Sequence, residues 1–187
     1  MLSSEEMDNL MVRISRREMV ALEEFYEEMS KAVYGLAYVI TKSPYDAEDI
    51  MQNTFIRVWD KAHRYRCGTN AKAWVMKIAR NLALTKREEG KRFVELDEEL
   101  PSEDMYRKML QFQELNSLLS MLKKEEREIV VLYSVGFSHK EIAEILKRPY
   151  ATVRWKYSNA ISKLSQKEQS FGYDKASAEM ESNYERT

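Results

Sequence analysis

One cysteine, three prolines, five glycines and two histidines are all that 187 residues contain of those types. The lone Cys67 excludes an internal disulfide and has no neighbouring Cys or His with which to hold a metal, so a reducing, cytoplasmic compartment is expected. His63 and His139 are far apart in sequence and lack ligand-spaced partners, so both are expected at the surface. No catalytic constellation is present, and the expectation is a protein that is not an enzyme and needs no cofactor or metal. No apolar run approaches the ~18 residues of a membrane span, so no membrane insertion is expected. The first ten residues, MLSSEEMDNL, are acidic and lack the basic and apolar regions of a secretory signal. There is no internal repeat. Scarce Gly and Pro, with Met, Leu and Ile recurring at helical spacing, predict an all-α protein of one or two small domains.

What is abundant is charge, and its distribution says more than its sum. The net charge is only −1. Residues 1–53 carry 5 basic and 11 acidic groups, residues 54–92 carry 11 and 3, residues 93–114 carry 2 and 7, and residues 115–168 carry 10 and 6. Two basic blocks are separated by an acidic spacer. A polyanion docks according to local field, so two contacts with one nucleic acid are expected, each raising the effective concentration of the other.

Helical patterns fill residues 5–92. A short helix is predicted over about Glu5–Ile14. Ser15 with Glu18 reads as a capping box that opens a long helix, with Met19, Leu22, Phe25, Tyr26, Met29, Val33, Leu36 and Ile40 on its apolar side. Ser43-Pro44-Tyr45-Asp46 supplies an N-cap, a Pro at the first helical position and an early acid for a helix running to about Lys61. RYRCGTN (64–70) reads as a loop, and Asn70 as the cap of a helix reaching about Lys91. The segment 93–104, acidic and holding Pro101, is predicted to be a flexible linker. A second helical domain follows over 105–168. Met109, Phe112, Leu115, Leu118, Leu119 and Leu122 mark its first helix and Ile129, Val130, Leu132 and Tyr133 its next. Residues 169–187 are predicted to form a frayed tail.

The segment 134–165 reads as a helix-turn-helix. Ser138 and Glu141 form a capping box before Ile142, Ala143, Ile145 and Leu146, and Pro149 suits the first turn of the second helix. Val153, Tyr157, Ala160, Ile161 and Leu164 then make one buried stripe. Ala151, Thr152, Trp155, Asn159 and Ser162 face the other way, flanked by Arg154 and Lys156. A small, polar and basic face suits base edges and phosphates. It also suits a helical hairpin with a solvated face.

Two further constellations matter. Asp49, Gln52, Asn53 and Ile56 share one helix face at i, i+3, i+4 and i+7. Acids repel phosphate, so this face fits a protein partner better than DNA, or it is simply solvated. In the basic helix, Lys77, Arg80, Arg87 and Lys91 cluster opposite the apolar Trp74, Val75, Ile78 and Leu82, a stripe able to track a phosphate backbone. The preceding loop offers Arg64, Tyr65, Arg66, Thr69 and Asn70. An aromatic ring, an amide and Arg in a loop can capture an unstacked base, although such a Tyr also serves as a packing residue.

In this order and spacing, DAEDIMQNTFIRVWDKAHRYR, AWVMKIARNLALTKRE, LLSMLKKEEREIVVLYSVGFSHKEIAEIL and TVRWKYSNAISKL resemble an RNA polymerase sigma factor of the extracytoplasmic-function type. The likeness spans roughly residues 18–168. It implies a sigma-2-like four-helix domain within residues 1–92 and a sigma-4-like helix-turn-helix domain within 105–168. The short gap between them leaves no room for a middle domain. It implies that Asp49, Gln52, Asn53 and Ile56 bind core RNA polymerase. It implies that Arg64, Tyr65, Asn70, Lys72, Lys77, Arg80 and Arg87 read and melt the −10 element. Lys147, Arg148, Ala151, Thr152, Arg154, Trp155 and Lys156 would read the duplex −35 element. An anti-sigma factor is the further partner implied.

Several positions depart from the family pattern. Asn53 stands where Glu is usual, Lys147-Arg148 where a Gly and an aliphatic residue are usual, and Ala151 where Gly is usual. Trp155 replaces a small polar residue. Its indole either contacts base edges and thymine methyls or packs against the other domain or an inhibitor. Two rival functions remain at this point. A stand-alone helix-turn-helix regulator of duplex operators leaves the 64–91 block unexplained. A helical anti-sigma or adaptor module leaves both basic blocks unexplained.

Overall fold

The computed structural model describes residues 2–90 and 117–166, and every described regular element is a helix. In chain order these are α1 (Ser4–Ser15), α2 (Met19–Thr41), α3 (Pro44–Lys61), a 3₁₀ turn (Ala62–Arg64), α4 (Ala71–Gly90), α5 (Lys124–Ser134), α6 (His139–Leu146) and α7 (residues 150–166). Residues 117–120 are also helical. The predicted linker at 93–104, the tail at 169–187 and most of the helix predicted from Met109 lie outside the described residues.

Local signals set the helix starts. Ser3 caps α1, accepting from the Glu6 N–H while the Glu6 carboxylate accepts from the Ser3 N–H at 2.8 Å. Ser43 caps α3 through the Asp46 N–H, with Pro44 at the first position. The Asn70 carbonyl oxygen accepts the Ala73 N–H at 2.9 Å and opens α4. The capping box predicted at Ser138 and Glu141 opens α6. The one predicted at Ser15 and Glu18 does not exist. Ser15 ends α1, its hydroxyl donates back to the Val12 carbonyl, and the Glu18 carboxylate accepts from Arg13. Arg17 takes a left-handed φ of 66° in the corner between the helices, so α2 starts at Met19.

α2 is the central post. Phe25, Met29, Val33 and Leu36 on it meet Ile50, Phe55 and Val58 of α3 and Val75, Met76 and Ala79 of α4 in one buried cluster. Alanines 71, 73, 79 and 83 line the buried side of α4 and let it lie close to the post. Met19 and Tyr26, predicted as core, are 54% and 39% exposed. They lie at the solvent edge of the stripe, Tyr26 tilted against Phe55 with ring centroids 4.7 Å apart.

The second half of α2 is buried all round: Leu36, Ala37, Tyr38, Val39 and Ile40 are consecutive buried residues. A helix apolar on every side needs cover on two sides. One side is covered by α3 and α4. The other is covered by the second helical unit, where Val39 joins Leu119, Leu122, Val131 and Ala160. α5 passes close to α2 at Gly35, where an added Cβ would make an ordinary 3.5 Å contact with Val131 Cγ1. The core of the helix-turn-helix, with Ile129, Leu132, Phe137, Ile142, Ile145 and Val153, is continuous with the core of the first unit. Ile161, predicted as buried, is 37% exposed at the far end of α7.

Candidate nucleic-acid and polymerase interfaces

On α3, Asp49, Gln52 and Ile56 stand together in solvent, Ile56 with 58% of its surface exposed. Asn53 is half-buried, and its amide donates to both the Asp49 carbonyl and carboxylate at 2.9 Å. The amide therefore orients the acid of its own face. Lys86 of α4 approaches Asp46 and Asp49 at 3.6 and 3.8 Å. A groove of about 330 Å³ runs between α3 and α4 beside this face, lined in part by Asp49, Asn53, Arg57 and Lys86.

The 64–70 loop is held from an unexpected side. The Tyr65 hydroxyl donates to one carboxylate oxygen of Asp8 on α1, and the Gly68 N–H donates to the other at 2.6 Å. The Tyr65 ring packs edge-on against Trp74, centroids 5.7 Å apart. Burial, and then the bond to Asp8, push its phenol above the usual tyrosine range. Lys72 reaches back to the Leu2 carbonyl. Tyr65 is thus a half-buried post for the loop, while Arg64 and Arg66 are exposed on it. Asp8 was not legible as a loop residue, since 57 residues separate it from Tyr65.

Of the predicted basic stripe, Lys77 and Arg80 face the second unit instead of open solvent, and Lys91 lies outside the described residues. Lys77 donates to Glu144 of α6 at 2.7 Å, Arg80 to Glu128 of α5 at 2.7 Å, and the Asn70 amide to Glu141 of α6 at 3.2 Å. Glu128 is only 5% exposed. Arg87 pairs with the adjacent Glu88 at 3.2 Å, and its Nε is buried without a hydrogen-bond partner. It lines a cleft of about 260 Å³ at the seam, together with Lys42, Lys124, Arg127 and Glu128.

The helix-turn-helix is built from a left-handed turn and a clamp. Lys147 ends α6 with φ 52° and ψ 51°, the conformation in which Gly costs nothing and a side chain costs about 1 kcal/mol. Glu125, at the start of α5, binds Arg148 at 2.5 Å and also Lys156. Burial pushes the Glu125 carboxyl up, but the bonds from Lys156 and Arg148 outweigh it and hold the group below the ordinary range. Glu126 binds Lys163 at 2.9 Å and the Asn159 amide at 2.8 Å. Two of the predicted basic readers, Arg148 and Lys156, and the predicted outward residue Asn159 therefore tie α7 to α5. Thr152 is half-buried. Lys147, Ala151 and Arg154 remain exposed, with the Arg154 guanidinium 5.8 Å from the Tyr150 ring centroid. Trp155 is 66% exposed, so it does not pack on the other unit. His139, expected at the surface, is half-buried between Tyr133 and Tyr157, with ring centroids 4.9 and 4.8 Å away.

Among the described residues no cluster of His, Cys, Asp and Glu could hold a metal ion. No described helix is long and apolar enough to cross a membrane.

Two family models match the chain: Sigma-70 region 2 over residues 25–93 and Sigma-70, region 4 over residues 112–168. The chain is 34% identical over 147 residues to ECF RNA polymerase sigma factor SigE of Mycolicibacterium smegmatis, a match covering 73% of this chain and 57% of that protein. It is 30% identical over 125 residues to ECF RNA polymerase sigma factor EcfG of Rhodopseudomonas palustris, covering 64% and 69%. The fold is similar to CnrH, solved in complex with the cytosolic domain of CnrY, with a TM-score of 0.68 at 21% identity over 90% of this chain and 99% of that one. It is also similar to the Bartonella quintana sigma factor RpoE in complex with the anti-sigma factor NepR, with a TM-score of 0.60 at 26% identity over 77% and 96%.

Proposed function

The chain belongs to the sigma-70 family, among the RNA polymerase sigma factors of the extracytoplasmic-function type, and on that basis we propose how its faces divide the work of promoter-specific initiation. Core RNA polymerase is bound by the exposed face of α3 through Asp49, Gln52, Asn53 and Ile56. The −10 element is read and opened by α4 and the loop before it. Arg64 and Arg66 offer exposed cations there, Asn70, Lys72, Lys77 and Arg80 line the helix, Arg87 lies farther along it, and Tyr65 holds the loop in shape. The −35 element is read by α7 through Ala151, Thr152, Arg154 and Trp155, with Lys147, Arg148 and Lys156 near its phosphates. Opening is driven by binding energy: capture of an unpaired base offsets an unstacking cost of a few kcal/mol. The protein acts in the cytoplasm without catalysing a reaction of its own, and an anti-sigma factor is its regulator, as NepR is named for the Bartonella relative.

The observation that carries this reading is the pairing, in one chain, of a region 2 unit with a region 4 unit whose recognition helix has an exposed basic and aromatic face. A stand-alone regulator accounts only for the second unit. Run-off transcription with purified core polymerase and a promoter carrying both elements tests it. A specific transcript is expected. Core binding without initiation would favour an adaptor, and operator binding without core would favour a regulator.

A further inference from the structure

We propose that Asp8 of α1 is a positioning residue for the −10-reading loop: it fixes residues 65–68 in the shape that receives an unpaired base, so base preference at the −10 element depends on a side chain that touches no DNA. The proposal rests on the reading of the 64–70 loop as part of the −10 face.

α1 precedes the residues matched to region 2. Its place in the fold is nevertheless fixed, because Met7, Leu10, Met11 and Ile14 are buried in the main core. Asp8 stands half-buried beside Met7 on this docked helix. Both of its carboxylate oxygens are given to the loop, one accepting from the Tyr65 hydroxyl and the other from the Gly68 N–H at 2.6 Å. A second tether runs the same way. Lys72 donates to the Leu2 carbonyl, and the Leu2 N–H donates to Glu28 of α2 at 2.8 Å.

The loop held in this way has a particular shape. Gly68 has φ 81° and Asn70 φ 54°, both left-handed, and the Thr69 hydroxyl closes the turn on the Arg66 carbonyl at 2.6 Å. Two left-handed residues in three define a conformation that an untethered loop would exchange with many others. Arg64, Arg66, Cys67 and Thr69 are left exposed around it. A loop that orders itself only on binding loses that ordering cost from its affinity, and a loop ordered beforehand does not. A fixed loop also rejects a base to which a mobile one would adapt. The two bonds from Asp8 therefore act on both the strength and the selectivity of base capture.

The test uses holoenzyme assembled from the full chain and purified core polymerase. Binding is measured to a single-stranded −10 oligonucleotide of the cognate promoter and to versions changed at one base. Asp8→Ala should weaken the matched oligonucleotide about tenfold, the weight of two hydrogen bonds, and the changed ones less, so that discrimination narrows. Affinity for core, and for a duplex carrying only the −35 element, should not change. Ala is the better helix former, so α1 itself is not weakened, which circular dichroism checks. Asp8→Asn should restore most of the discrimination, since its amide oxygen can accept from Gly68 while its amide nitrogen donates to the Tyr65 oxygen. A merely structural Asp8 would lower all these affinities together. That result, or an Asp8→Ala protein with unchanged discrimination, would overturn the proposal. Arg66→Ala tests the underlying reading separately: it should weaken every −10 oligonucleotide. If it weakens none, the assignment of the loop to the −10 element fails and the proposal with it, whereas a loss with Arg66→Ala and none with Asp8→Ala overturns the proposal alone.

Discussion

Helices α4 and α7 are both basic and amphipathic, and both are assigned to DNA, yet the fold treats them in opposite ways. On α4, Lys77 and Arg80 point at the second unit and are matched by Glu144 and Glu128. On α7 the cations nearest the core are tied by Glu125 and Glu126 from behind, while Trp155 and Arg154 look outward. Acids from the second unit meet the cations of α4 across the seam, whereas acids within that unit brace α7 from behind.

The sharpest way to break this contrast is Arg80→Ala. It leaves Glu128 buried without its cation, and should cost about 3 kcal/mol in chemical denaturation, at the low end for a buried pair because Arg80 keeps 24% of its side chain in water. Trp155→Ala should do the reverse. Stability should change by no more than about 0.5 kcal/mol, while discrimination among −35 variants should fall by about 1–3 kcal/mol. Equal affinity losses across all −35 variants would remove Trp155 from base reading. Lys147→Gly should stabilise the helix-turn-helix by about 1 kcal/mol by relieving the left-handed turn, read as a shifted denaturation midpoint. Its promoter affinity at rising salt then tells whether Lys147 touches phosphate: a lost contact lowers the salt slope by about 1. The smallest effect is that of acid on the clamp. The Glu125 carboxyl is depressed below its ordinary value of 4.5, so its stabilisation is complete above that pH and is lost as pH falls below 4.5 through the folded-state value. Glu125→Gln should flatten that part of the stability–pH curve, and an unchanged curve would show that the clamp contributes nothing.

Much of this molecule could be read directly from its sequence where the deciding contacts are local. Ser43-Pro44, Asn70 and the Ser138–Glu141 box each set a helix start within three or four residues, and each was legible. Ser15 and Glu18 have the same spacing and failed, because Arg13, five residues before Glu18, takes its carboxylate as the chain turns. The families of both units were legible from their motifs. The covering of α4 was not: Glu128 and Glu144 lie 48 and 67 residues from their partners, and a cation stripe has the same periodicity facing water or carboxylates. Asp8 was missed for the same reason. The all-round apolar run Leu36–Ile40 was the one available sign that α2 has a second cover, and it gives no indication of what provides it.

That run has a consequence for the life of the chain in a cell. Whenever the two units part, Val39 on α2 and Val131 on α5 each lose the apolar partner they have here and meet water. An opened molecule is then a poor long-term solute and a good substrate for quality control. A partner that takes hold of the opened units would have to supply the apolar cover that each unit here gives the other.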